Sequence, residues 1–242
     1  MAPNPKYFTV HWPRTERCGL PRSSIIAIDG PLAAGKTAVG ALLALRLGYR
    51  FIDTGVMYRA ITWAVLRDKV DPAEESNVTA LAQHSEIEVT GSDSLASPRI
   101  KVDGQDVTGE LRTREVEQGV SRISRFIGVR EAMVARQQAL ARQGKIIMAG
   151  RDIGTVVLPN ADLKIFLTAS AEERARRRFR DMGQQGQSLE LNRVMEDLLH
   201  RDKLDTERTN SPLRPADGAH ILNTDSIALT QVVERIIALA EE

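Results

Sequence analysis

The stretch from Ser24 to Thr37, SIIAIDGPLAAGKT, decides the fold that the rest of the sequence has to fit. Its apolar run, IIAI at 25–28, has the composition of a strand that is buried on both faces. The pattern Gly-x-x-x-x-Gly-Lys-Thr follows at Gly30 to Thr37, and the helical pattern AVGALLALRLG comes next. This order of strand, glycine-rich turn and helix is typical of the phosphate-binding P-loop.

The P-loop predicts a cradle for the phosphates of a nucleoside triphosphate. Gly30 and Gly35 let the backbone turn its N–H groups towards a phosphate. Lys36 is placed to reach the β and γ phosphates, and Thr37 offers its hydroxyl as a ligand for Mg²⁺. The residues predicted to bind the nucleotide are Gly30, Pro31, Leu32, Ala33, Ala34, Gly35, Lys36, Thr37 and Ala38.

Composition excludes several classes of partner. The chain has 33 basic and 32 acidic residues, a net charge of +1, so no overall field attracts a nucleic acid or a membrane surface. No stretch approaches the roughly 18 consecutive apolar residues that span a bilayer. The single cysteine, Cys18, cannot form an intrachain disulfide, which fits a reducing compartment, and we expect the cytoplasm.

Strand and helix patterns alternate along most of the chain and predict an α/β fold. The fold is a three-layer P-loop architecture, with a five-stranded parallel sheet and helices on both faces. The strands are predicted at 24–29, 50–53, 145–149, 163–168 and 219–223. The helices are predicted at 36–47, 56–68, 129–143, 171–182, 189–203 and 227–240.

Two regions interrupt this alternation. Polar and apolar residues alternate between 85 and 110, with glycine, serine and proline between them, which predicts a small insert of antiparallel strands. The region 172–210 is dense in arginine and acid and predicts a mobile helical lid. We expect one domain over 23–242, with the insert at about 85–125 and the lid at about 175–209, preceded by a disordered tail over 1–22.

The remaining sequence favours a kinase among P-loop proteins. A switch GTPase normally carries Asn-Lys-x-Asp, and the nearest match here, Asn223-Thr224-Asp225, lacks the lysine. A motor ATPase usually ends an apolar strand on an acid, whereas the strand IFLT ends at Thr168. The features that support hydrolysis are therefore not evident.

A kinase that phosphorylates another phosphate has to neutralise charge more than it has to remove a proton. Arg151 and Asp152 directly follow a predicted strand, at the carboxyl edge where ligands of open α/β sheets bind. The lid is suited to excluding water from the transfer. The candidate arginines for neutralisation are Arg59, Arg130, Arg151, Arg201 and Arg208.

Four further motifs carry a resemblance to a known family. Together with the P-loop, they resemble bacterial cytidylate kinase, of the nucleoside monophosphate kinase group, over about residues 23 to 240. The motifs are DTGVMYRA at 53–60, GRDIGTVVLP at 150–159, KIFLTASAEERARRR at 164–178 and RDKLDTER at 201–208. The resemblance implies ATP-dependent phosphorylation of CMP and dCMP with Mg²⁺, by a monomer that needs no protein partner.

The resemblance also implies roles for particular residues. Arg59, Arg151 and Arg208 would hold the phosphate of CMP, and Arg201 and Asp205 would lie near its ribose. Lys36, Arg151, Arg201 and Arg208 would be catalytic, stabilising the charge that moves between phosphates. The residues that would surround the cytosine are Thr54, Ser121, Arg130 and Asp152.

One position departs from the family pattern. The family usually has a hydroxyl residue at the second position after the P-loop lysine, and this chain has Ala38 there. We therefore expect retained activity with some loss of ATP affinity. Two alternatives remain open: a kinase of the same architecture for UMP or another small acceptor, and a regulator that binds ATP without transferring its phosphate.

Overall fold

The computed structural model describes residues 8–11, 23–90, 99–184 and 190–242. These residues form two compact units. The first unit contains 8–11 and 44–146, and the second contains 23–43 and 147–242.

Nine strands and eight α-helices are formed by the described residues. The strands are β1 (Phe8–His11), β2 (Ile25–Asp29), β3 (Arg50–Asp53), β4 (Ile87–Thr90), β5 (Arg99–Val102), β6 (Gln105–Asp106), β7 (Ile146–Gly150), β8 (Leu163–Thr168) and β9 (His220–Asn223). The helices are α1 (Lys36–Leu47), α2 (Thr54–Arg67), α3 (Glu75–His84), α4 (Arg114–Ile123), α5 (Ile127–Ala141), α6 (Ala171–Gln184), α7 (Leu191–Glu207) and α8 (Leu229–Glu241).

The main sheet has five parallel strands in the order β3-β7-β2-β8-β9. The inner strands β2 and β7 are almost entirely apolar because both of their faces are covered, and Ile26, Ile28 and Ile147 have no exposed surface. β2 and β8 pair from Ile26↔Leu163 to Asp29↔Phe166. The predicted fold class and all five predicted strands are confirmed.

The insert is also confirmed as antiparallel. β4 pairs with β5 from Ile87↔Val102 to Thr90↔Arg99, and β5 pairs with the short β6. β1 lies parallel to β4, on the other side from β5. Residues 1–7 and 12–22 of the predicted tail lie outside the described residues, as do residues 91–98 of the insert.

The six predicted helices are present, with ends displaced by a few residues. α2 begins at Thr54, two residues earlier than predicted, because the Asp53 carboxylate accepts the N–H of Gly55 at 2.9 Å. The helices α3 and α4 were not predicted. α6 and α7 form the segment predicted as a lid and pack against each other, while the linker residues 185–189 lie outside the described residues.

No helix within the described ranges is both long enough and apolar enough to cross a membrane.

Candidate active site

The loop between β2 and α1 has the backbone that a phosphate cradle requires. Gly30 and Gly35 adopt φ values of 148° and 92°, and Ala33 adopts 61°. A Cβ at Gly30 would lie 2.1 Å from the carbonyl oxygen of Leu167, so only glycine fits there. Lys36 Nζ donates to the Pro31 carbonyl at 2.6 Å, which holds this buried ammonium against the loop.

Thr37 and Ala38 follow Lys36 in the first turn of α1, and both are exposed. The positive end of the helix dipole lies at this turn, where an anion is stabilised. The second unit therefore contains a backbone cradle, an ammonium and a hydroxyl at one helix terminus.

Asp29, the last residue of β2, organises the neighbouring strand end. Its two carboxylate oxygens accept the N–H groups of Ile153 and Gly154, both at 2.7 Å. The carboxylate thus caps two backbone N–H groups that follow β7. The pKa of Asp29 is raised to about 6, mainly by burial and also by the charge of Asp152, although the two N–H groups and Lys36 act to lower it.

Arg151 lies directly after β7 and bridges two parts of the second unit. Its Nε donates to Asp205 Oδ2 at 2.7 Å, and its Nη1 donates to the Gly30 carbonyl at 3.2 Å. Asp205 is on α7, and its other oxygen lies 4.0 Å from Nη1 of Arg208. Asp205 thus stands beside two arginines, one of which reaches the glycine that opens the P-loop.

A π-helical turn follows Asp152, from Ile153 to Val157. The Asp152 carbonyl accepts the N–H of Val156 at 2.9 Å and that of Val157 at 3.1 Å. Asp152 itself is buried, with 5% of its surface exposed. Turns of this kind are rare and are frequent at functional sites.

Two arginines of α6 contact the P-loop side of the second unit. Arg174 is 6% exposed, and its Nη1 donates to Asp202 at 2.6 Å and to the Leu32 carbonyl at 3.3 Å. Arg177 donates from Nη1 to Thr224 Oγ1 at 2.9 Å and from Nη2 to the Thr224 carbonyl at 2.7 Å. These side chains are bound to protein atoms, whereas Arg176 is 66% exposed.

The first unit contains the remaining predicted residues of the site. Arg59 on α2 donates from Nε to Glu117 Oε1 of α4 at 2.9 Å. A Cβ at Gly55 would lie 3.0 Å from Nη1 of Arg59, so this glycine leaves room for the guanidinium. Thr54, at the start of α2, is buried with 4% of its surface exposed.

Arg130 on α5 is 5% exposed. Its guanidinium carbon is 5.8 Å from the centroid of the Tyr58 ring, and its Nη1 donates to the Ser124 carbonyl at 3.4 Å. Ser124 in turn donates from its hydroxyl to the Ser121 carbonyl at 3.4 Å. A buried cation beside an aromatic ring and the turn that follows α4 suits a planar polar ligand.

The structure therefore divides the predicted residues between the units. Within the first unit, Ser124 joins Arg130 to the backbone carbonyl of Ser121 in α4. Within the second unit, the P-loop, Arg151, Asp205 and Arg208 are joined by contacts, and Arg201 lies one turn before Asp205 on α7, half-buried.

Comparisons with known proteins identify the family of this chain. The family model described as cytidylate kinase matches residues 26–242. The cytidylate kinase of Bacillus licheniformis is 45% identical over 217 residues, which cover 90% of this chain and 96% of that protein. That of Bacillus subtilis strain 168 is 44% identical over 218 residues, with the same shares covered.

This chain belongs to the cytidylate kinase family. The resemblance predicted from the sequence motifs is thereby confirmed. The matched region begins inside β2, so residues 1–25 lie outside it. Among solved structures, a shikimate kinase from Acinetobacter baumannii in complex with shikimate is 18% identical, with a TM-score of 0.45, covering 91% of this chain and 92% of that one.

Sequence reasoning missed residues that contact the P-loop, directly or through Thr224, in this structure. Arg174 contacts the Leu32 carbonyl and Arg177 contacts Thr224, yet both were predicted only as part of the arginine-dense lid, and Thr224 only as part of an incomplete guanine motif. Thr224 is 3% exposed, and its hydroxyl donates towards the Ala34 carbonyl at 3.3 Å. Its position directly after β9, at the edge of the sheet where ligands bind, is the one signal that could have identified it.

Proposed function

We propose that this chain transfers the γ-phosphoryl group of ATP to CMP, and to dCMP, giving ADP and the nucleoside diphosphate. Membership of the cytidylate kinase family supports this reaction. The observation that carries the proposal within the structure is the bond from Arg151 Nη1 to the Gly30 carbonyl. It puts an arginine suited to an acceptor phosphate beside the loop suited to the donor phosphates.

The donor is held by the P-loop, residues Gly30 to Ala38. The backbone N–H groups of the loop and the terminus of α1 bind the phosphate oxygens. Lys36 leaves the Pro31 carbonyl and binds the β and γ phosphates, stabilising the charge that develops on the bridging oxygen. Its low exposure keeps this charge effective because little water screens it.

The acceptor phosphate is held by arginines. Arg151 and Arg208 are already beside each other around Asp205, and a phosphate group offers the same anionic oxygens as that carboxylate. Arg201, on the same helix as Asp205, adds positive charge during transfer. The assignment of Arg59, which belongs to the first unit, rests on its place in the motif DTGVMYRA.

Cytosine recognition is assigned to Thr54, Ser121, Arg130 and Asp152. Cytosine presents an amino donor at N4 and acceptors at N3 and O2, so a carboxylate and an arginine can read it together. Uracil has the opposite pattern at N3 and C4, and a kinase for UMP is not favoured for that reason. Asp205 is assigned to the ribose, in addition to the bond that it accepts from Arg151.

Chemistry at the transferred group needs no covalent enzyme intermediate. The acceptor phosphate is already an anion near neutral pH, so the protein has to align the two ligands and neutralise them. Closure of α6 and α7 over the site would exclude water, which would otherwise compete as acceptor. The alternative of a regulator that does not transfer phosphate is not favoured, because the acceptor-side arginines are retained.

Mg²⁺ is the metal we assign to the reaction. Thr37 supplies a hydroxyl oxygen at the exposed first turn of α1, which suits a cation that keeps most of its waters. The metal would neutralise charge on the donor phosphates.

A cytoplasmic location and a monomeric state are also part of the proposal. The single cysteine supports the cytoplasmic location. Size-exclusion chromatography with light scattering tests the monomeric state.

A coupled assay of ADP release tests the proposed reaction. CMP, dCMP, UMP, AMP, GMP and no acceptor are compared at equal concentration with ATP and Mg²⁺. We expect turnover with CMP and dCMP at least about tenfold above that with the other acceptors. A preference for UMP or a purine monophosphate would overturn the cytosine assignments, and ADP release without any acceptor would overturn the transfer itself.

A further inference from the structure

We propose that Thr224 is a positioning residue for ATP binding, which fixes the orientation of the peptide unit between Ala34 and Gly35 in the P-loop. This inference rests on the proposed function, in which that loop binds ATP. Thr224 follows β9, almost two hundred positions from the loop, and is 3% exposed. Its hydroxyl contacts three groups, and their chemistry decides where its hydrogen goes.

The hydroxyl oxygen accepts a hydrogen bond from Arg177 Nη1 at 2.9 Å. Its own hydrogen is therefore directed to one of two carbonyls, that of Thr168 at 3.1 Å or that of Ala34 at 3.3 Å. The Thr168 carbonyl already accepts the backbone N–H of Thr224 at 2.8 Å. The buried Ala34 carbonyl has the greater need of the hydroxyl hydrogen, because a buried acceptor without a partner costs free energy.

The orientation of this peptide unit matters for phosphate binding. In a planar trans peptide, the carbonyl and the following N–H point in opposite directions. When Thr224 holds the Ala34 carbonyl on one side, the N–H of Gly35 faces the other side, where the loop can offer it to a phosphate oxygen. The hydroxyl thus acts on the ligand through the backbone and does not touch it.

Glycine makes such an external restraint necessary. Gly35 adopts φ of 92°, and a glycine visits positive and negative φ with similar ease, so the preceding peptide unit can rotate at little local cost. Arg177 completes the restraint by fixing Thr224 with two bonds, and a Cβ at Gly35 would lie 3.8 Å from its Nη1. Glu173 fixes Arg177 in turn, accepting from its Nε at 2.9 Å.

The matched pair Thr224→Val and Thr224→Ser tests the proposal. Valine keeps the shape and loses the hydroxyl, whereas serine keeps the hydroxyl. The dissociation constant of the non-hydrolysable ATP analogue AMP-PNP, with Mg²⁺ and without CMP, is measured by titration calorimetry on the full chain. We expect it to rise about tenfold in Thr224→Val and to stay within about threefold in Thr224→Ser, with the affinity for CMP within about twofold in both.

A second variant keeps the test decisive if Thr224→Val does not fold. Arg177→Met frees the hydroxyl from its fixed orientation, and we expect the dissociation constant of AMP-PNP to rise about threefold. Arg176→Met, at the exposed neighbouring position, is the control and leaves that constant unchanged. Unchanged affinity in the folded Thr224→Val and Arg177→Met variants, or equal losses in the valine and serine variants, would overturn the proposal.

The failure of the proposed function gives a different result. If the unmodified chain did not bind AMP-PNP at all, the assignment of the P-loop to ATP would be wrong. If the unmodified chain binds the analogue and Thr224→Val binds it equally well, only the role of Thr224 is wrong.

Discussion

Arg151 donates from Nε to Asp205 Oδ2 at 2.7 Å, and about a quarter of each side chain is exposed. The pair joins the end of β7 to α7, and the same guanidinium reaches the Gly30 carbonyl. An arginine can make both bonds at once because its donors lie in a fixed plane. Asp205 therefore fixes the orientation of the Arg151 guanidinium, which we propose is the orientation that binds an acceptor phosphate.

Replacing Arg151 by lysine tests whether the site requires the planar guanidinium at this position or only its positive charge. Lysine keeps the positive charge and loses the planar fork, so it cannot reproduce the bonds to Asp205 and Gly30 together. We expect kcat/KM for CMP to fall at least about 100-fold, while the dissociation constant of ATP stays within about threefold. Arg176→Lys is the matched control at an exposed position. Equal activity of the two variants would refute the role of Arg151.

Gly30 provides a steric test of the cradle. In Gly30→Ala the new Cβ would lie 2.1 Å from the carbonyl oxygen of Leu167, at a φ that side chains rarely adopt. The loop has to move, and we expect kcat to fall at least about 100-fold, measured by ADP release. Gly109→Ala is the control, because its Cβ meets nothing within 4 Å. Wild-type turnover in Gly30→Ala would show that the observed backbone is not required.

Ala38 offers a gain of function. The family usually has a hydroxyl at this position, and here the residue is exposed in the first turn of α1. We expect Ala38→Thr to lower the KM for ATP about three- to tenfold, by adding a hydrogen bond to the donor phosphates. Ala38→Val has the same branched shape without the hydroxyl and should give no such gain. Equal KM values for ATP in the two variants would contradict this interpretation of Ala38.

Asp29 gives the free energy of unfolding a predictable dependence on pH. Its pKa rises from 3.8 to about 6 because it is buried, so the native state holds the proton more tightly than the unfolded chain does. The native state then binds more protons between these two pH values, and its stability falls as the pH rises through that window. The change attributable to Asp29 is at most about 3 kcal/mol.

Urea unfolding of the wild type and of Asp29→Asn, at intervals from pH 4 to pH 7, measures this effect. The free energy of unfolding of the wild type, minus that of Asp29→Asn, should fall as the pH rises, because only the wild type loses stability by this route. Asp197→Asn, at an exposed position of α7, is the control and should run parallel to the wild type. A constant difference between Asp29→Asn and the wild type across this range would contradict the raised pKa of Asp29.

The parallel sheet could be predicted from the sequence because its strands are short apolar runs with few competing patterns. β2 and β7 have no polar side chain before their ends, which also places Asp29 and Arg151 at the edge of the sheet. α4 was missed although Val116, Val120 and Ile123 have helical spacing and are buried. The alternating pattern that precedes α4 in the insert favours antiparallel strands, so the whole insert was assigned to strands.

α3 was harder to predict, since only Val78 and Ala82 of its residues are buried and Glu74 makes no side-chain cap. The partners of Arg174 and Arg177 could not be predicted at all. A run of charged residues on a helix is normally solvated, and nothing local distinguishes Arg177 from Arg176. Their difference comes from long-range proximity to Leu32 and Thr224, which only the folded chain provides.

The most direct test of the proposed reaction follows the phosphoryl group itself. The full chain is incubated with ATP labelled at the γ-phosphate, Mg²⁺ and CMP, and the products are separated by ion-exchange chromatography. We predict that the label appears in CDP, in a one-to-one ratio with the ADP formed, and that Lys36→Ala abolishes this transfer. Label found in inorganic phosphate, or in no product while ATP is still bound, would contradict phosphoryl transfer to CMP.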